Sequence, residues 1–281
     1  MICQSFCAII QGMIKTNWHT HTSRCGHAIG TDEEYVQAAI KAGLKTLGFS
    51  DHAPYREPFP PERMNYEQLE DYVQSVLSLK EKYKDQIDLH LGMEVECYQS
   101  EWEDLSRYRK KMEYCILGQH QLEFNGISSY QLRDGNGLKY YVDQIGYACE
   151  HGLCDYIAHP DVCMWSYPRI DDSVRKAAER IAEIAAEYDM PLEINCGSGV
   201  RTGLTEYADG MRYPYPVRIF FEEAAKHHCK AVLGLDIHDP KLFFTDEYIN
   251  RALSVVNGLD LTIIEDFDII VAAEKRKKLF Y

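Results

Sequence analysis

Lysine and arginine are scarce in this chain, 30 against 44 aspartates and glutamates, which leaves a formal charge of −14 over 281 residues. Gripping a nucleic-acid backbone or an anionic membrane surface needs the opposite balance, so long nucleic acid and membrane are set aside as main partners. No run approaches the roughly 20 apolar residues of a membrane span. The ten cysteines include no CxxC pair and no compact disulfide framework. A chain of this length does not depend on such staples, and a reducing, cytoplasmic compartment is the simplest setting. There is no internal repeat, low-complexity tract or Pro/Gly-rich linker. Residues 1–12 are mildly apolar but have no basic leader and are interrupted by Gln4, Ser5 and Gln11. They read as part of an N-terminal extension, 1–13, and not as a signal peptide.

What the chain does have is a rhythm. An apolar content of 46% is ample for a core, and short apolar runs alternate with helix-period segments, the pattern of βα units around a mostly parallel sheet. Strands are expected over 14–20, 45–50, 87–95, 114–119, 155–159, 191–195 and 230–236. Seven strands suggest an α/β barrel, with 14–281 as one domain. Thr31 and Asp32 open a helix through about Ala42, ended by Gly43, and Asn65 opens a longer one through Lys84. Further helices fit 138–151, 171–188, 215–228 and 245–256. Segment 122–137, with Asn125-Gly126 and Asp134-Gly135-Asn136-Gly137, reads as an extended loop or hairpin reaching over one end of the barrel.

Seven histidines and two carboxylates fall at or just beyond the predicted strand ends: His19, His21, His27, His52, Glu94, His120, His159, Asp236 and His238. In parallel α/β architectures the strand carboxyl ends share one mouth, where functional residues gather. Alternate residues of a strand share a face, so His19 and His21 can grip one ion, and Asp236-Ile237-His238 repeats that spacing. Any one of eleven histidines could land there by chance; seven together, with two such i,i+2 pairs, argue for a site holding two or three divalent ions. The imidazole-rich set suits zinc, iron or manganese better than calcium or magnesium. His90, His151, His227 and His228 fall on strand starts or helix surfaces and take no part.

These residues resemble a known family. His19-Thr20-His21-Thr22 with Cys25 and His27, Phe49-Ser50-Asp51-His52-Ala53-Pro54, Gly92-Met93-Glu94, Gly118-Gln119-His120, His159-Pro160-Asp161 and Leu235-Asp236-Ile237-His238 look like the polymerase and histidinol phosphatase (PHP) superfamily, in its order, over residues 14 to about 243. Leu192-Glu193-Ile194-Asn195, Gly199-Val200-Arg201 and Tyr213-Pro214 look like its histidinol-phosphatase branch. The resemblance implies a distorted (β/α)7 barrel with a trinuclear centre, in agreement with the strand count. Carried over by position, it puts one ion on His19, His21, Glu94 and Asp236, a second on Glu94, His120 and His159, and a third on His27, His52 and His238. A carboxylate has two oxygens and can bridge two ions, as one imidazole nitrogen cannot. Glu96, on the same strand face as Glu94, is the alternative bridge.

The chemistry implied is hydrolysis of a small phosphate ester by a metal-bridging hydroxide, the ions lowering the pKa of bound water toward roughly 7 and clamping the attacking and leaving oxygens. Arg201 stands in the family's Gly-x-Arg place and is the expected phosphate donor, since a guanidinium can bond two phosphate oxygens at once. Asp161 and Asp239 are candidate proton donors to the leaving alkoxide, although an aspartate beside a ligand is more often an orienter of imidazole. Related phosphatases place a basic residue soon after the His-Pro-Asp run; here Val162-Cys163-Met164-Trp165 intervenes and Arg169 comes later. Trp165 and Tyr167 are then available to line a pocket for a flat group. Cys25 and Cys196 fall near the mouth, but their neighbouring histidines are committed to metal, so both read as buried side chains and not nucleophiles. Three functions follow: a metal-dependent phosphomonoesterase of the histidinol-phosphatase kind, a nucleotide or oligonucleotide phosphodiesterase, and a non-catalytic metal-binding domain, the last disfavoured by the complete ligand set.

Overall fold

Three of the helices begin where a side-chain oxygen takes up orphan backbone N–H groups. Thr31 caps α1 (Asp32–Ala42) in a reciprocal box with Glu34, and Gly43, at φ 90°, ends it in the left-handed region that costs other residues strain. Asp134 accepts from the N–H groups of Asn136 and Gly137. The Gly-Asn-Gly stretch read as loop is therefore the first turn of a helix. Asp171 does the same for the helix at Asp172–Glu187.

The computed structural model describes residues 14–56 and 62–280, so the proposed extension 1–13 lies outside the described residues. The strands are β1 (Thr16–Asn17), β2 (Thr46–Phe49), β3 (Asp88–Val95), β4 (Tyr114–Leu117), β5 (Tyr156–Ile157), β6 (Leu192–Asn195), β7 (Thr205–Tyr207), β8 (Gly210–Arg212), β9 (Lys230–Gly234) and β10 (Thr262–Ile263). The remaining helices are α2 (Leu69–Tyr83), α3 (Trp102–Lys111), α4 (Gly135–Glu150), α5 (Asp172–Glu187), α6 (Ser198–Thr202), α7 (Arg218–Lys226), α8 (Glu247–Val256) and α9 (Ile269–Phe280). Among the described residues no helix is long and apolar enough to cross a membrane.

The eight-stranded sheet runs β1-β2-β3-β4-β5-β6-β9-β10 and is parallel throughout. It closes at one end: Thr20 pairs with Ile237, the N–H of His21 donates to the carbonyl of Ile237 at 3.0 Å, and that of Ile237 donates to the carbonyl of His19 at 3.2 Å. The seven expected strands thus form a distorted (β/α)7 barrel. The eighth, β10, has two residues and among the described residues pairs with β9 alone, too short to show alternation in the sequence. Also absent from the sequence reading are the antiparallel hairpin β7-β8 and the helices α3 and α9. Helix α7 starts three residues later than expected, after the extended Val217, because Pro214 and Pro216 before it have no N–H to give.

Two layers of core position the site. The larger lies between strands and helices. The smaller fills the barrel below the mouth with Trp18, Tyr114, Ile116, Tyr156, Ala158 and Val232, and Ile269 and Ala273 of α9 pack against it. Tyr114 lies across the glycines of β2 and β3: a Cβ on Gly92 would fall 2.3 Å from its ring and one on Gly48 2.2 Å from its hydroxyl. Its single hydroxyl proton is shared between the carbonyls of Trp18, at 2.8 Å, and Phe49, at 3.1 Å. The barrel interior is therefore a packed core and not a pore.

Candidate metal centre

Glu94 projects from the end of β3 into the mouth and is buried. Gly118 makes room for it, since a Cβ there would lie 1.9 Å from Glu94 Oε1. That oxygen is 3.0 Å from His159 Nε2 and 3.5 Å from both His19 Nε2 and His120 Nε2. Oε2 is 2.9 Å from His52 Nδ1 and 3.6 Å from His21 Nε2. Five imidazoles, brought by the ends of four strands, β1, β2, β4 and β5, thus face one carboxylate.

Opposite it, Asp236 Oδ1 lies 3.3 Å from His21 Nε2 and 3.7 Å from His19 Nε2, and those two nitrogens are 3.1 Å apart. Four ligands held about 2.1 Å from a tetrahedral ion stand about 3.4 Å from one another. His19 Nε2, His21 Nε2 and Asp236 Oδ1, 3.1–3.7 Å apart, meet that spacing, and Glu94 faces the two imidazoles with one oxygen each at 3.5 and 3.6 Å. The oxygen shared by His159 and His120 has the same spacing for a second ion. For a third, the His27 ring lies 4.6 Å from that of His238 and 5.4 Å from that of His52. His27 Nδ1 faces the carbonyl of Cys25 and His238 Nδ1 that of Asp236, each at 3.1 Å, so the Nε2 atoms are left for other work. His238 Nε2 and Glu94 Oε2 are buried atoms with no hydrogen-bond partner in the protein. Such atoms are costly unless a cation satisfies them.

Charge tells the same story. Burial opposes ionisation of Glu94, yet His120, His52 and His19 outweigh it and hold the carboxyl well below its usual range. Asp236 is held down likewise by His19, His21 and His238 against burial. Burial drives His52 and His238 well below the ordinary imidazole value, leaving neutral donors. For His21, burial is overcome by hydrogen bonds with Asp236 and Asp51 and by the charge of Glu94, which raise the imidazole to about 9. A cluster with Asp51, Glu94, Glu96, Glu193 and Asp236 all buried needs positive charge, and where no cation supplies it protons must.

Behind these side chains sits a set of carboxylates that sequence reasoning missed or misplaced. Glu193 of β6 accepts from His19 Nδ1 at 2.8 Å and from the backbone N–H of His159 at 2.9 Å. Asp51 Oδ1 lies 3.5 Å from His21 Nδ1. Glu96, the alternative bridge, is turned to His120 Nδ1 at 3.1 Å and to Arg63, and Glu94 holds the centre. Both Glu193 and Asp51 belong to the quoted motif runs, but only the fold shows which imidazole each one meets. Backbone strain marks the site as well: His159 at φ 30° and Asp236 at φ 49° sit in the left-handed region although neither is glycine.

The remaining candidates are placed as follows. Arg201, on α6, donates from both terminal nitrogens to the carbonyl of Asp236, each at 3.2 Å, which sets it at the rim beside that side chain. Asp161 is buried and accepts from the N–H of Val217; Asp239 caps the 3-10 turn Pro240–Phe244, accepting from the N–H of Lys241 at 2.9 Å. Segment 122–137 does reach the site, because the ring of Tyr130 stacks on His120 at 6.0 Å and 7°. Trp165 stands 5.4 Å from Tyr130 and 5.9 Å from Tyr215, whereas Tyr167 is buried with its hydroxyl toward Asp171. Cys25 and Cys196 are buried; burial pushes the Cys25 thiol up to about 12 and that of Cys196 up as well, so both stay protonated. His90 is held by Asp88 and Glu113, and His151 stacks on Tyr147, away from the cluster.

Residues 17–197 match the PHP domain. The chain is 30% identical over 232 residues to a Deinococcus radiodurans protein named "Probable histidinol-phosphatase", covering 79% of this chain and 85% of that one. It is 32% identical over 134 residues to the histidinol-phosphatase of Bacillus subtilis, covering 43% and 49%. Its fold is similar to that of the histidinol phosphate phosphatase of Lactococcus lactis, whose crystal structure is a complex with zinc, L-histidinol and phosphate, with a TM-score of 0.68 and 16% identity, covering 91% of this chain and 97% of that one. With the PHP domain matched over more than half of its length and a relative at 30% identity across most of it, the chain belongs to the PHP-domain family.

Proposed function

We propose that this protein is a metal-dependent phosphomonoesterase that hydrolyses L-histidinol phosphate, with residues 14–281 as its barrel domain and the cytoplasm as its compartment. The observation that carries the reading is the Glu94 carboxylate at the centre of five imidazoles, with Asp236 set opposite it beside His19 and His21. The names of the curated relatives support the substrate, and the described cysteines, all free, suit a reducing compartment. His19, His21, Glu94 and Asp236 would hold one divalent ion, Glu94, His120 and His159 a second, and His27, His52 and His238 a third, with zinc, iron or manganese suited to the donors. Such ions supply hydroxide near neutral pH and positive charge opposite a phosphate dianion.

The chain's own groups do the rest. Glu193 and Asp51 hold His19 and His21 in orientation, so the nitrogens facing the mouth keep their lone pairs. Arg201 offers a planar cation at the rim, where it would bind phosphate oxygens and keep the ester from rotating. Tyr130, Trp165 and Tyr215 form an aromatic wall on the His120 and His159 side, fitted to the flat imidazole of the leaving alcohol. Asp161 and Asp239 are engaged with backbone N–H groups, and proton transfer is not assigned to either.

Purified protein reconstituted with zinc, manganese or iron(II) and offered a panel of phosphate esters tests the proposal. Histidinol phosphate should exceed p-nitrophenyl phosphate and mononucleotides in kcat/KM by at least about tenfold, roughly 1.4 kcal/mol of selective transition-state binding. A nucleotide turned over faster than histidinol phosphate would refute the substrate and favour a nucleotide-directed phosphoesterase.

A further inference from the structure

Three carboxylates, Asp51, Glu96 and Glu193, steady the imidazoles of the site, and among the described residues Glu96 is the one paired with a guanidinium. Arg63 Nη1 bonds Glu96 Oε2 and Nη2 bonds Oε1, both at 2.9 Å, and the arginine side chain is 8% exposed. Glu193 is satisfied by neutral partners and imidazole: Tyr156, Asn195, His19 and the backbone of His159. Asp51 is bonded by Thr22 and the backbone of His52.

The position of Glu96 explains why it needs more. It lies two residues beyond Glu94 on the same side of the chain, so two carboxylates bracket a single imidazole. His120 Nε2 stands 3.5 Å from Glu94 Oε1, and His120 Nδ1 3.1 Å from Glu96 Oε1. A neutral imidazole keeps one proton, and the nitrogen that keeps it cannot offer a lone pair to a cation. If Glu96 is an anchored anion, Nδ1–H donates to it and Nε2 is the free donor. If Glu96 were loose, it could itself turn toward a cation and compete with Glu94. A bidentate guanidinium removes that freedom, because it occupies both carboxylate oxygens in a fixed plane.

We infer that Arg63 is a positioning residue of the metal centre: by clamping Glu96 it makes Nε2 the cation-facing nitrogen of His120 and keeps Glu94 as the bridging carboxylate. The inference rests on the metal reading above, not on the identity of the ester.

The test uses the full chain reconstituted with cobalt(II), whose visible absorption reports the ligand set, together with metal retention against graded chelator. Arg63→Met should weaken retention of one equivalent by about ten- to a hundredfold, shift the cobalt absorption, and lower kcat more than it changes KM. Arg63→Lys keeps the charge without the fork and should recover part of the loss. Combining Arg63→Met with Glu96→Gln should be no worse than Arg63→Met alone, because the loose anion has gone and the two changes cease to be independent. An unaltered spectrum and retention in Arg63→Met, or losses that simply add in the double variant, would overturn the inference. Should Arg63→Met fail to fold, Arg63→Lys and Glu96→Gln decide it, and wild-type spectra and retention in both would overturn it. A wild-type protein that retains no metal refutes the metal reading and this inference together.

Discussion

Replacing Glu94 with glutamine changes one oxygen to nitrogen and removes one negative charge, with almost no change in shape. Its two oxygens stand 2.9–3.6 Å from five imidazole nitrogens, so the loss falls on two ion sites and not one. Two unit charges 4 Å apart interact by about 4 kcal/mol at the effective dielectric found in proteins. At 1.36 kcal/mol per decade that is about three decades in affinity for each ion that loses its carboxylate. Glu94→Gln should therefore retain at least one equivalent of metal less than wild type after dialysis against chelator. Its kcat/KM should fall by about a thousandfold or more, with partial recovery at high added metal. His27→Ala, at the exposed edge, should disturb only the third equivalent. Elemental analysis of the dialysed proteins, with activity titrated against added metal, measures both. If Glu94→Gln binds as much metal as wild type, the carboxylate is not the bridge and the ligand assignment is wrong.

Arg201→Ala should lower kcat/KM by about ten- to a thousandfold, roughly 1.4–4 kcal/mol, without changing metal content; a neutral effect in steady-state assays would return Arg201 to the surface. Gly92→Ala drives a methyl into the ring of Tyr114 and should cost about 1–3 kcal/mol by urea unfolding, so an unchanged midpoint would show that the barrel interior has slack. At the other end of the barrel, burial opposes ionisation of Glu113, but His90, the N–H of Leu91 and Lys80 lower its carboxyl from 4.5 to about 2. That is at most about 3.4 kcal/mol, reduced by partial exposure to about 1–2 kcal/mol. This stabilisation is present above pH 4.5 and lost as pH falls toward 2; the share belonging to His90, whose imidazole is raised despite burial, is present below 6.5 and lost as pH rises through that raised value. Glu113→Gln should thus destabilise most between about pH 4.5 and 6.5, and a Tm difference that does not vary between pH 3 and 6 would refute the pairing.

The barrel and the nine gathered side chains were legible in the chain itself for a physical reason. Parallel strands buried on both faces must be short apolar runs, and their carboxyl ends share one mouth, so the order of strands already says that His19, Glu94, His159 and Asp236 meet. Helix starts were readable wherever a local oxygen such as that of Thr31 makes the cap. Where the cap lies against expectation, at Asp134, the glycines misled, because their freedom suits loop and helix alike until the capping bonds choose. Strand β10, with two residues, and α9, whose apolar side is recognised only when the barrel floor receives it, leave no periodic trace long enough to read.

What the tertiary structure alone decided is the division of labour among like residues. Glu94, near the end of β3, and Glu96, one residue past it, share a side in the two-residue alternation of the chain; Arg63, over thirty residues away, takes one and leaves the other to the imidazoles. Glu193 meets His19 across 174 positions of sequence, and the choice of nitrogen on each ring depends on that partner. Residue type and spacing determine which donors can arrive at the mouth. Which lone pair each donor presents there is set by hydrogen bonds and charges from distant segments, because a carboxylate or an imidazole has more than one way to satisfy itself and only its packed surroundings remove the alternatives.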